Sequence, residues 1–230
     1  MRYGIVVYLF RRVLFFWGPV WLALFAGAIA LTALATLNDR LPGDLDILRR
    51  IQDPPVPGLP LSRFIRLMTT TQVVIGLGVV TAVALWFFRR RRLAVLLAVG
   101  LIVLPLLQWG LKEIVDRPRP PADMVDIRAG FSSDSFPAGH VMSGAFFYGF
   151  LFYVSLDLRL RAARTALLAA SVAVLALVGW ANVYVGVHWP SDIVGGYAWG
   201  FTLLLPLLGL DAMMREIEDL LLYTLGLRRL

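Results

Sequence analysis

The chain has 230 residues, of which 59% are hydrophobic and only 16% are charged, and its mean hydropathy is +0.76. A chain this apolar does not stay dissolved as a disordered coil. A single soluble core of this size could not bury so much apolar surface either, so the composition indicates a membrane protein. Cysteine is absent from the sequence, which excludes disulfides, thiolate metal sites and a thiol nucleophile.

The net charge of +7 comes from arginine, because the 22 basic residues include a single lysine. In a soluble protein this charge would suggest binding to nucleic acid. Here most of the arginines flank apolar stretches, where they set the orientation in the membrane and contact anionic lipid. We therefore expect membrane lipids, and no nucleic acid, as partners.

Six stretches are apolar enough to cross a bilayer, whose hydrocarbon core needs about 20 residues of helix. The first contains the sequence Ala33-Leu34-Ala35, which resembles a signal-peptidase site, but its apolar region is about twice the usual signal length. We interpret it as an uncleaved anchor rather than a removed signal peptide. The prediction is one all-α polytopic membrane domain over residues 1–230, with about six transmembrane helices. The stretches are 13–37, 70–88, 93–111, 139–156, 165–187 and 191–210.

The arginines also predict the orientation of these spans. They cluster before the first stretch, at 89–92, at 159–164 and after the last stretch. All of these clusters lie on one side if the spans alternate, and the positive-inside rule makes that side cytoplasmic. Both termini are then cytoplasmic, and the charged tail at 211–230 is predicted to be a cytoplasmic amphipathic helix. We expect a bacterial inner membrane protein.

A long proline-rich connection at 38–68 falls on the extracytoplasmic side. Within it, Leu41, Leu45, Leu48 and Ile51 recur at helical spacing. This pattern is typical of a helix lying at the membrane interface. A lid that packs on the other loops fits the pattern equally well.

The single lysine lies in the next connection on that side, at the end of the third span. Lys112 and Arg119 can converge on one anion once Pro118 and Pro120 end the helix and turn the chain back. Together they offer a point charge and a planar fork, which suit phosphate oxygens. The alternative is that both side chains simply extend to the interface.

The first histidine lies at the start of the fourth span. Pro137 and Gly139 precede His140, and a helix that begins there directs its backbone N–H groups and the positive end of its dipole outward. An anion bound at these groups could exchange a proton with His140. A capped helix start with a structural histidine is the alternative.

The second histidine precedes the sixth span. Pro190 suits the first turn of a helix, which places Asp192 close enough to hydrogen-bond one imidazole nitrogen of His188. The other nitrogen could then act as a nucleophile or base. Two histidines and an aspartate could instead bind a metal, but the neighbouring cations would repel it, so we expect neither a metal nor another cofactor.

In this order, the three motifs resemble those of the type 2 phosphatidic acid phosphatase (PAP2) superfamily of membrane lipid phosphatases. The family pattern is Lys, six residues and Arg-Pro, then Pro-Ser-Gly-His, then Ser-Arg, five residues, His, three residues and Asp. The resemblance covers about residues 108–196. The matching positions are Lys112 with Arg119-Pro120, then Pro137-Ala138-Gly139-His140, then Ala181-Asn182 with His188 and Asp192.

The resemblance implies a PAP2-like helical core and a two-step displacement. His188 would attack phosphorus to form a phosphohistidine, Asp192 would orient its ring, and His140 would protonate the leaving oxygen and then activate water. No metal would be needed. The phosphate-binding groups would be Lys112, Arg119 and the positions of Ala138, Gly139 and Asn182.

Two positions depart from the family pattern, since Ala138 replaces the serine and Asn182 replaces the arginine of the third motif. These changes predict a slower enzyme, a substrate of different charge, or loss of activity. We hypothesise that Arg117 or Arg128 partly replaces the missing cation.

The predicted function is metal-independent hydrolysis of a lipid phosphate or diphosphate at the outer face of the membrane. One alternative is a phosphotransferase of the same family that passes the phosphoryl group to an acceptor other than water. Another is a non-catalytic lipid-binding or transport protein, although such a protein needs no nucleophile paired with an acid, and ionisable groups are rare inside these spans. No pattern in the sequence indicates an oligomeric state.

Overall fold

The structure is a computed structural model that describes residues 2–53, 58–131 and 133–224, with side chains from Gly18 to Tyr223. Every regular element within these ranges is an α-helix, as the sequence predicted. The helices are α1 (Arg2–Leu37), α2 (Asp44–Gln52), α3 (Leu59–Thr69), α4 (Thr71–Phe87), α5 (Arg91–Val115), α6 (Gly139–Leu156), α7 (Arg161–Tyr184) and α8 (Pro190–Thr224).

The predicted number of spans is also confirmed. Among the described residues, five helices are long and apolar enough to cross a membrane, and the count is six if α3 and α4, which are bent by 56° relative to each other, form one span. The bend lies at Thr70, whose backbone is extended (φ −59°, ψ 143°) and whose side chain accepts a hydrogen bond from the N–H of Val73. This cap starts a new helix immediately after α3 ends.

The prediction that residues 38–68 form a loop with one helix is therefore incomplete, because Leu59–Thr69 is helical as well. Pro60 lies in the first turn of α3, where proline lacks only an N–H that would have had no helical partner. The run of prolines before it suggested a continuous loop, but part of that run starts a helix. Residues 54–57 lie outside the described residues.

The sequence left two arrangements open for this segment, a helix at the membrane interface or a lid on the other loops. Helix α2 packs as the lid. Its Leu48 is fully buried and packs in a cluster with Val125, Val141 and Val178. Gln52 donates hydrogen bonds to the carbonyls of Asp126 and Tyr184, at 2.6 and 3.1 Å. These contacts attach α2 to the loops around it rather than to a lipid surface.

Helix α6 occupies the middle of the bundle, and its phenylalanines at 146, 147 and 150 are buried. Helix α8 packs closely against it because α8 carries small residues at the contact. A Cβ added at Gly200 would lie 2.6 Å from the Cβ of Ala145, and one at Gly196 would lie 2.8 Å from the carbonyl oxygen of Ala138. Glycine at these two positions therefore lets the N-terminal parts of α6 and α8 lie side by side.

The two ends of the chain extend the bundle. Helix α1 packs along α8 and places Ala28 and Ala35 in the core. The segment predicted as an amphipathic tail helix continues α8, which runs without a break from Pro190 to Thr224. Asp211, at the start of that tail, is buried and accepts hydrogen bonds from Tyr153 and Arg215. Residues 225–230 of the tail lie outside the described residues.

Candidate active site

A cavity of about 300 Å³ opens at the end of the bundle where α5 ends and α6 and α8 begin. It contains five of the residues that the sequence singled out, and none of its described lining residues is acidic. We call it the cationic cavity. It is lined by Arg66, Thr70, Thr71, Gln72, Gln108, Lys112, Arg119, Gly130, Phe131, Ser133, Gly139, His140 and His188.

Lys112 and Arg119 converge on this cavity, as predicted, because the chain turns sharply after α5. Asp116 ends the helix in a left-handed conformation (φ 46°), and a proline-rich segment then brings Arg119 back. Lys112 donates a hydrogen bond to the carbonyl of Asp134. Arg119 donates to the carbonyls of Ser133 at 2.7 Å and Asp134 at 3.2 Å.

Contacts with Val187 and Phe131 also fix the position of the Arg119 side chain. Its Nη1 lies 2.5 Å from the carbonyl oxygen of Val187, and its guanidinium carbon lies 4.7 Å from the ring centroid of Phe131. Burial lowers the pKa of Arg119 to about 10, while the carboxylates of Asp192 and Asp134 limit the decrease. The side chain therefore remains cationic at neutral pH, in a fixed position.

His188 lies between α7 and α8 with only 2% of its surface exposed. The turn before it requires Gly186 (φ 75°), where a Cβ would also lie 2.8 Å from the Nε2 of Gln52. The Nε2 of His188 lies 3.3 Å from the Nη1 of Arg119. This nitrogen is thus presented to the cationic cavity.

The other imidazole nitrogen points towards Asp192 as predicted, but at a longer distance than a hydrogen bond. The Nδ1 of His188 lies 3.6 Å from the Oδ2 of Asp192 and has no hydrogen-bond partner within the described part of the chain. Burial lowers the pKa of His188 to about 4, and the charge of Arg119 acts in the same direction against the opposing effect of Asp192. The imidazole is therefore neutral at physiological pH.

Asp192 is held in place by three donors in a fully buried position. Its Oδ1 accepts from the Nη1 of Arg117 at 2.6 Å. Its Oδ2 accepts from the hydroxyl of Ser135 at 2.5 Å and from the N–H of Trp189 at 2.8 Å. The carboxylate behind His188 therefore has a fixed orientation before any ligand binds.

Arg117 does not replace the missing family arginine. Its side chain is buried and bridges Asp192 to Asp44 of α2, whose Oδ2 lies 3.0 Å from the Nη2 of Arg117. Asp44 also accepts hydrogen bonds from the backbone N–H and hydroxyl of Ser191, at 2.9 and 2.7 Å. The guanidinium stabilises the carboxylates behind the site and does not line the cavity. No motif in the sequence pointed to Asp44.

Arg128 does not replace the missing family arginine either. Its Nε donates to the Oδ2 of Asp126 at 2.8 Å, and its guanidinium carbon lies 4.5 Å from the ring centroid of Tyr184. These contacts hold it against the outer loops, beside the lid helix and outside the lining of the cavity. Our hypothesis that Arg117 or Arg128 supplies the missing cation is thus wrong.

Two predicted phosphate-binding positions also lie outside the cavity lining. Ala138 is fully buried, and its N–H donates to the carbonyl of Asp192 at 3.1 Å, so this group is not free for a ligand. Asn182 is fully buried as well, and its side chain contacts protein groups on both sides. Gly139 does line the cavity, and no side chain caps α6 before it, so the first N–H groups of α6 remain for an anion.

Polar side chains near the start of α6 fix its position. The Nε2 of Gln108 donates to the carbonyl of Gly139 at 3.1 Å and to the hydroxyl of Ser143 at 2.8 Å. The Oε1 of Gln108 accepts from Thr71 at 2.8 Å. This network connects α4, α5 and α6, and it places His140 at the edge of the cavity.

Arg66 is the cationic lining residue that no motif in the sequence predicted. It lies on α3, within the segment predicted to be a loop, and its Nη1 donates a hydrogen bond to the Oδ1 of Asn182. The signal was weak, because Arg63 and Arg66 are two arginines spaced one turn apart in an otherwise apolar segment. Only the helix makes it clear that one of them points into the bundle while the other is exposed.

A family profile and two named proteins match half or more of this sequence. Residues 93–213 match the sequence profile of the PAP2 superfamily. Phosphatidylglycerophosphatase B of Bacillus subtilis is 31% identical over 152 residues, which are 64% of this chain and 69% of that protein. A protein of Escherichia coli named as an undecaprenyl-diphosphatase, YbjG, is 28% identical over 120 residues, which are 50% of this chain and 57% of that protein.

Solved structures show the same architecture. The crystal structure of a transmembrane PAP2-type phosphatidylglycerolphosphate phosphatase from Bacillus subtilis has a TM-score of 0.72 and 26% sequence identity, over 84% of this chain and 96% of that one. Aquifex aeolicus LpxE has a TM-score of 0.57 at 21% identity, over 74% of this chain and 96% of that one, which is a likeness in fold. Since the family profile covers more than half of the sequence and a solved transmembrane member has the same fold, this chain is an integral membrane protein that belongs to the PAP2 superfamily of phosphoric ester hydrolases.

Proposed function

We propose that this protein hydrolyses a lipid phosphate or diphosphate through a phosphohistidine on His188. The observation that carries the proposal is the environment of this side chain: a buried, neutral imidazole presents Nε2 to a cationic cavity, and a fixed carboxylate lies 3.6 Å behind Nδ1. A neutral imidazole has the free electron pair that a nucleophile needs. The cations beside it attract a phosphate and stabilise the charge on its oxygens in the transition state.

The first step forms a bond between phosphorus and the Nε2 of His188 and breaks the bond from phosphorus to the lipid oxygen. His140, which lines the same cavity, takes up a proton once the bound phosphate offsets the charge of the neighbouring cations, and it donates this proton to the leaving oxygen. The positive charge that develops on the ring of His188 is stabilised by Asp192. Lys112, Arg119 and the N–H groups at the start of α6 hold the phosphate oxygens throughout.

The second step transfers the phosphoryl group to water. His140, now neutral, takes a proton from the attacking water, the bond from phosphorus to Nε2 breaks, and inorganic phosphate leaves with His188 restored. An alcohol in place of water would make the protein a phosphotransferase with the same first step.

We further propose that the cavity faces the extracytoplasmic side of a bacterial inner membrane. Helix α5 runs from the arginine block at 89–92 to Lys112, so the cavity and the block lie at opposite ends of the bundle. The positive-inside rule favours the block on the cytoplasmic side. A headgroup can then enter the cavity while its tail remains in the outer leaflet. The names of the two relatives favour phosphatidylglycerophosphate and undecaprenyl diphosphate as first substrates to test.

The proposal is tested by phosphate release from these two lipids and from phosphatidic acid in detergent micelles. We expect the wild-type protein to release phosphate from at least one of them, and His188→Ala to release none above the uncatalysed level. His140→Ala should be slower by about 10²- to 10⁴-fold, as expected for loss of a general acid and base. Arg128→Ala, outside the cavity, should keep wild-type activity.

Equal release by wild type and His188→Ala from every lipid would contradict the proposal. Phosphate appearing on an added alcohol, rather than free in solution, would instead favour the phosphotransferase. Orthovanadate, which can adopt the five-coordinate geometry of phosphorus in the transition state, should inhibit the wild-type protein in either case.

A further inference from the structure

We infer that Arg66 of α3 supplies the phosphate-binding guanidinium that the third family motif lacks in this chain, and that Asn182 is the residue that positions it. The inference deepens the proposed function, because it assigns a substrate-binding residue to the same cavity. It rests on three observations: the contact between Arg66 and Asn182, the orientation of the amide, and the free donors of the guanidinium.

Asn182 occupies the position of the family arginine but does not reach the cavity itself. Its Nδ2 donates to the carbonyl of Val178 at 2.8 Å, which leaves Oδ1 as the end that faces Arg66. The Oδ1 atom accepts a hydrogen bond from the Nη1 of Arg66. Since an amide oxygen is an acceptor only, this orientation suits a cation and no anion.

Several N–H groups of the Arg66 guanidinium have no acceptor among the described residues. Among the described residues, its side chain makes a hydrogen bond only to Asn182 and forms no salt bridge, whereas Arg119 uses Nε, Nη1 and Nη2 on backbone carbonyls. A guanidinium carries five N–H groups. Those that remain on Arg66 belong to a side chain that lines the cationic cavity.

The electrostatic environment indicates what these donors bind. Arg66, Lys112 and Arg119 all line the cationic cavity, and no carboxylate lines its described part. Three cations that face one partly buried space repel one another, because Asp134 and Asp192 lie outside its lining and offset their charge only in part. An anion in the cavity relieves that repulsion. A doubly charged phosphate or a diphosphate fits this requirement better than a singly charged phosphodiester.

The inference also explains why Asn182 and Arg66 occur together. In the family pattern one side chain on the helix that precedes the histidine carries the guanidinium. Here the short amide at that position leaves room for an arginine from α3, which packs against α7. The cation has moved to a neighbouring helix, and the amide that remains holds it.

The test compares Arg66→Ala with Arg63→Ala in phosphate release and in orthovanadate binding measured by calorimetry. Arg63 is an exposed arginine one turn earlier on the same helix, so it controls for loss of charge. We expect Arg66→Ala to raise both the KM and the Kd for orthovanadate by about 10- to 100-fold, as expected for loss of a charge-assisted hydrogen bond. Arg63→Ala should leave both within about twofold of wild type.

Two further variants separate binding from a purely structural role. Asn182→Ala should weaken orthovanadate binding in wild type but have no further effect in the Arg66→Ala background, because its contribution acts through Arg66. Asn182→Arg combined with Arg66→Ala returns the guanidinium to the family position and should recover most of the lost affinity. Arg66→Lys keeps the aliphatic stem and the charge, so it serves as the folded comparison if Arg66→Ala is unstable, with an intermediate Kd expected.

Unchanged KM and orthovanadate affinity in Arg66→Ala or Arg66→Lys would overturn the inference. If wild type releases phosphate while His188→Ala does not, that result would leave the proposed function intact. No difference between wild type and His188→Ala would instead reject the proposed function, whatever the orthovanadate affinities of the Arg66 variants.

Discussion

The charge of His188 follows from where its side chain lies. The ring is buried, the guanidinium of Arg119 is 3.3 Å from Nε2, and both conditions disfavour a second proton. The carboxylate of Asp192 favours that proton but is 3.6 Å away and already accepts three hydrogen bonds. The neutral imidazole therefore remains the main form well below the usual pKa of histidine.

This charge state can be measured directly, because the chain has only two histidines. In a His140→Asn variant, the ¹⁵N imidazole signals come from His188 alone. We expect them to stay those of neutral imidazole from pH 8 to pH 5, and to titrate near pH 4 because burial lowers the pKa of His188 to about 4. Removing the repulsion of a nearby cation, in His140→Asn with Arg119→Gln, should move the midpoint upward.

A midpoint near 6.5, the pKa of a solvated histidine, would show that His188 is exposed and exchanges protons freely. That result would contradict the buried position of the ring beside the guanidinium of Arg119.

Among the helices, the small α2 is attached to the active site through one arginine. Arg117 bridges Asp44 of α2 and Asp192 of α8, and the side chains of all three are at most 3% exposed. The same aspartate of α2 accepts two hydrogen bonds from Ser191. The lid helix and the carboxylate behind His188 therefore share one buried cation.

Loss of this cation should strongly destabilise the fold. Arg117→Met leaves two buried carboxylates without a cation, and breaking a buried ion pair from one side costs about 3–5 kcal/mol. We expect a loss of this size in the free energy of unfolding, measured by denaturant titration in micelles. Arg128→Met serves as the matched control, because Arg128 pairs with the exposed Asp126 and should cost at most about 1 kcal/mol.

A second variant tests the reason for the loss. Adding Asp44→Asn to Arg117→Met removes one of the two unpaired charges, so the double variant should be more stable than Arg117→Met alone. Equal stability of Arg117→Met and wild type, or additive losses in the double variant, would show that the two carboxylates do not depend on Arg117.

For the molecule as a whole, the orientation in the membrane can be tested because the chain has no cysteine. Asp123→Cys places a thiol in the exposed loop near the cavity, and Arg159→Cys places one in the connection at the other end of the bundle. A membrane-impermeant maleimide should label Asp123→Cys in intact cells and Arg159→Cys only after lysis. The opposite pattern would put the cavity on the cytoplasmic side.

The features of the fold that depend on local sequence were predictable. Apolar stretches of about 20 residues predicted the spans, and proline and glycine marked where α6 and α8 begin. Helix α3 was not predictable in this way, because its short segment carries two arginines and follows a run of prolines, a pattern typical of a loop. Helix α3 packs against α7, a contact between segments far apart in the chain.

The candidate site was also predictable only in the features that depend on local sequence. The motif spacing predicted that Lys112, Arg119, His140 and His188 meet, since each lies at the end of a span on one side. Contacts made across the fold were not visible in the sequence: the N–H of Ala138 is taken by the carbonyl of Asp192. The partner of Asn182 comes from 116 residues earlier in the chain, and no spacing rule connects the two positions.

The central claim is that His188 carries the phosphoryl group between the two steps. The most direct test is to mix the protein with a ³²P-labelled lipid phosphate, stop the reaction with alkaline detergent within milliseconds, and locate the label on the chain. We expect label on a peptide that contains His188 in the wild-type protein, lost when excess unlabelled substrate is added, and none in His188→Ala. Label on another residue, or steady phosphate release with no labelled chain at any time, would contradict it.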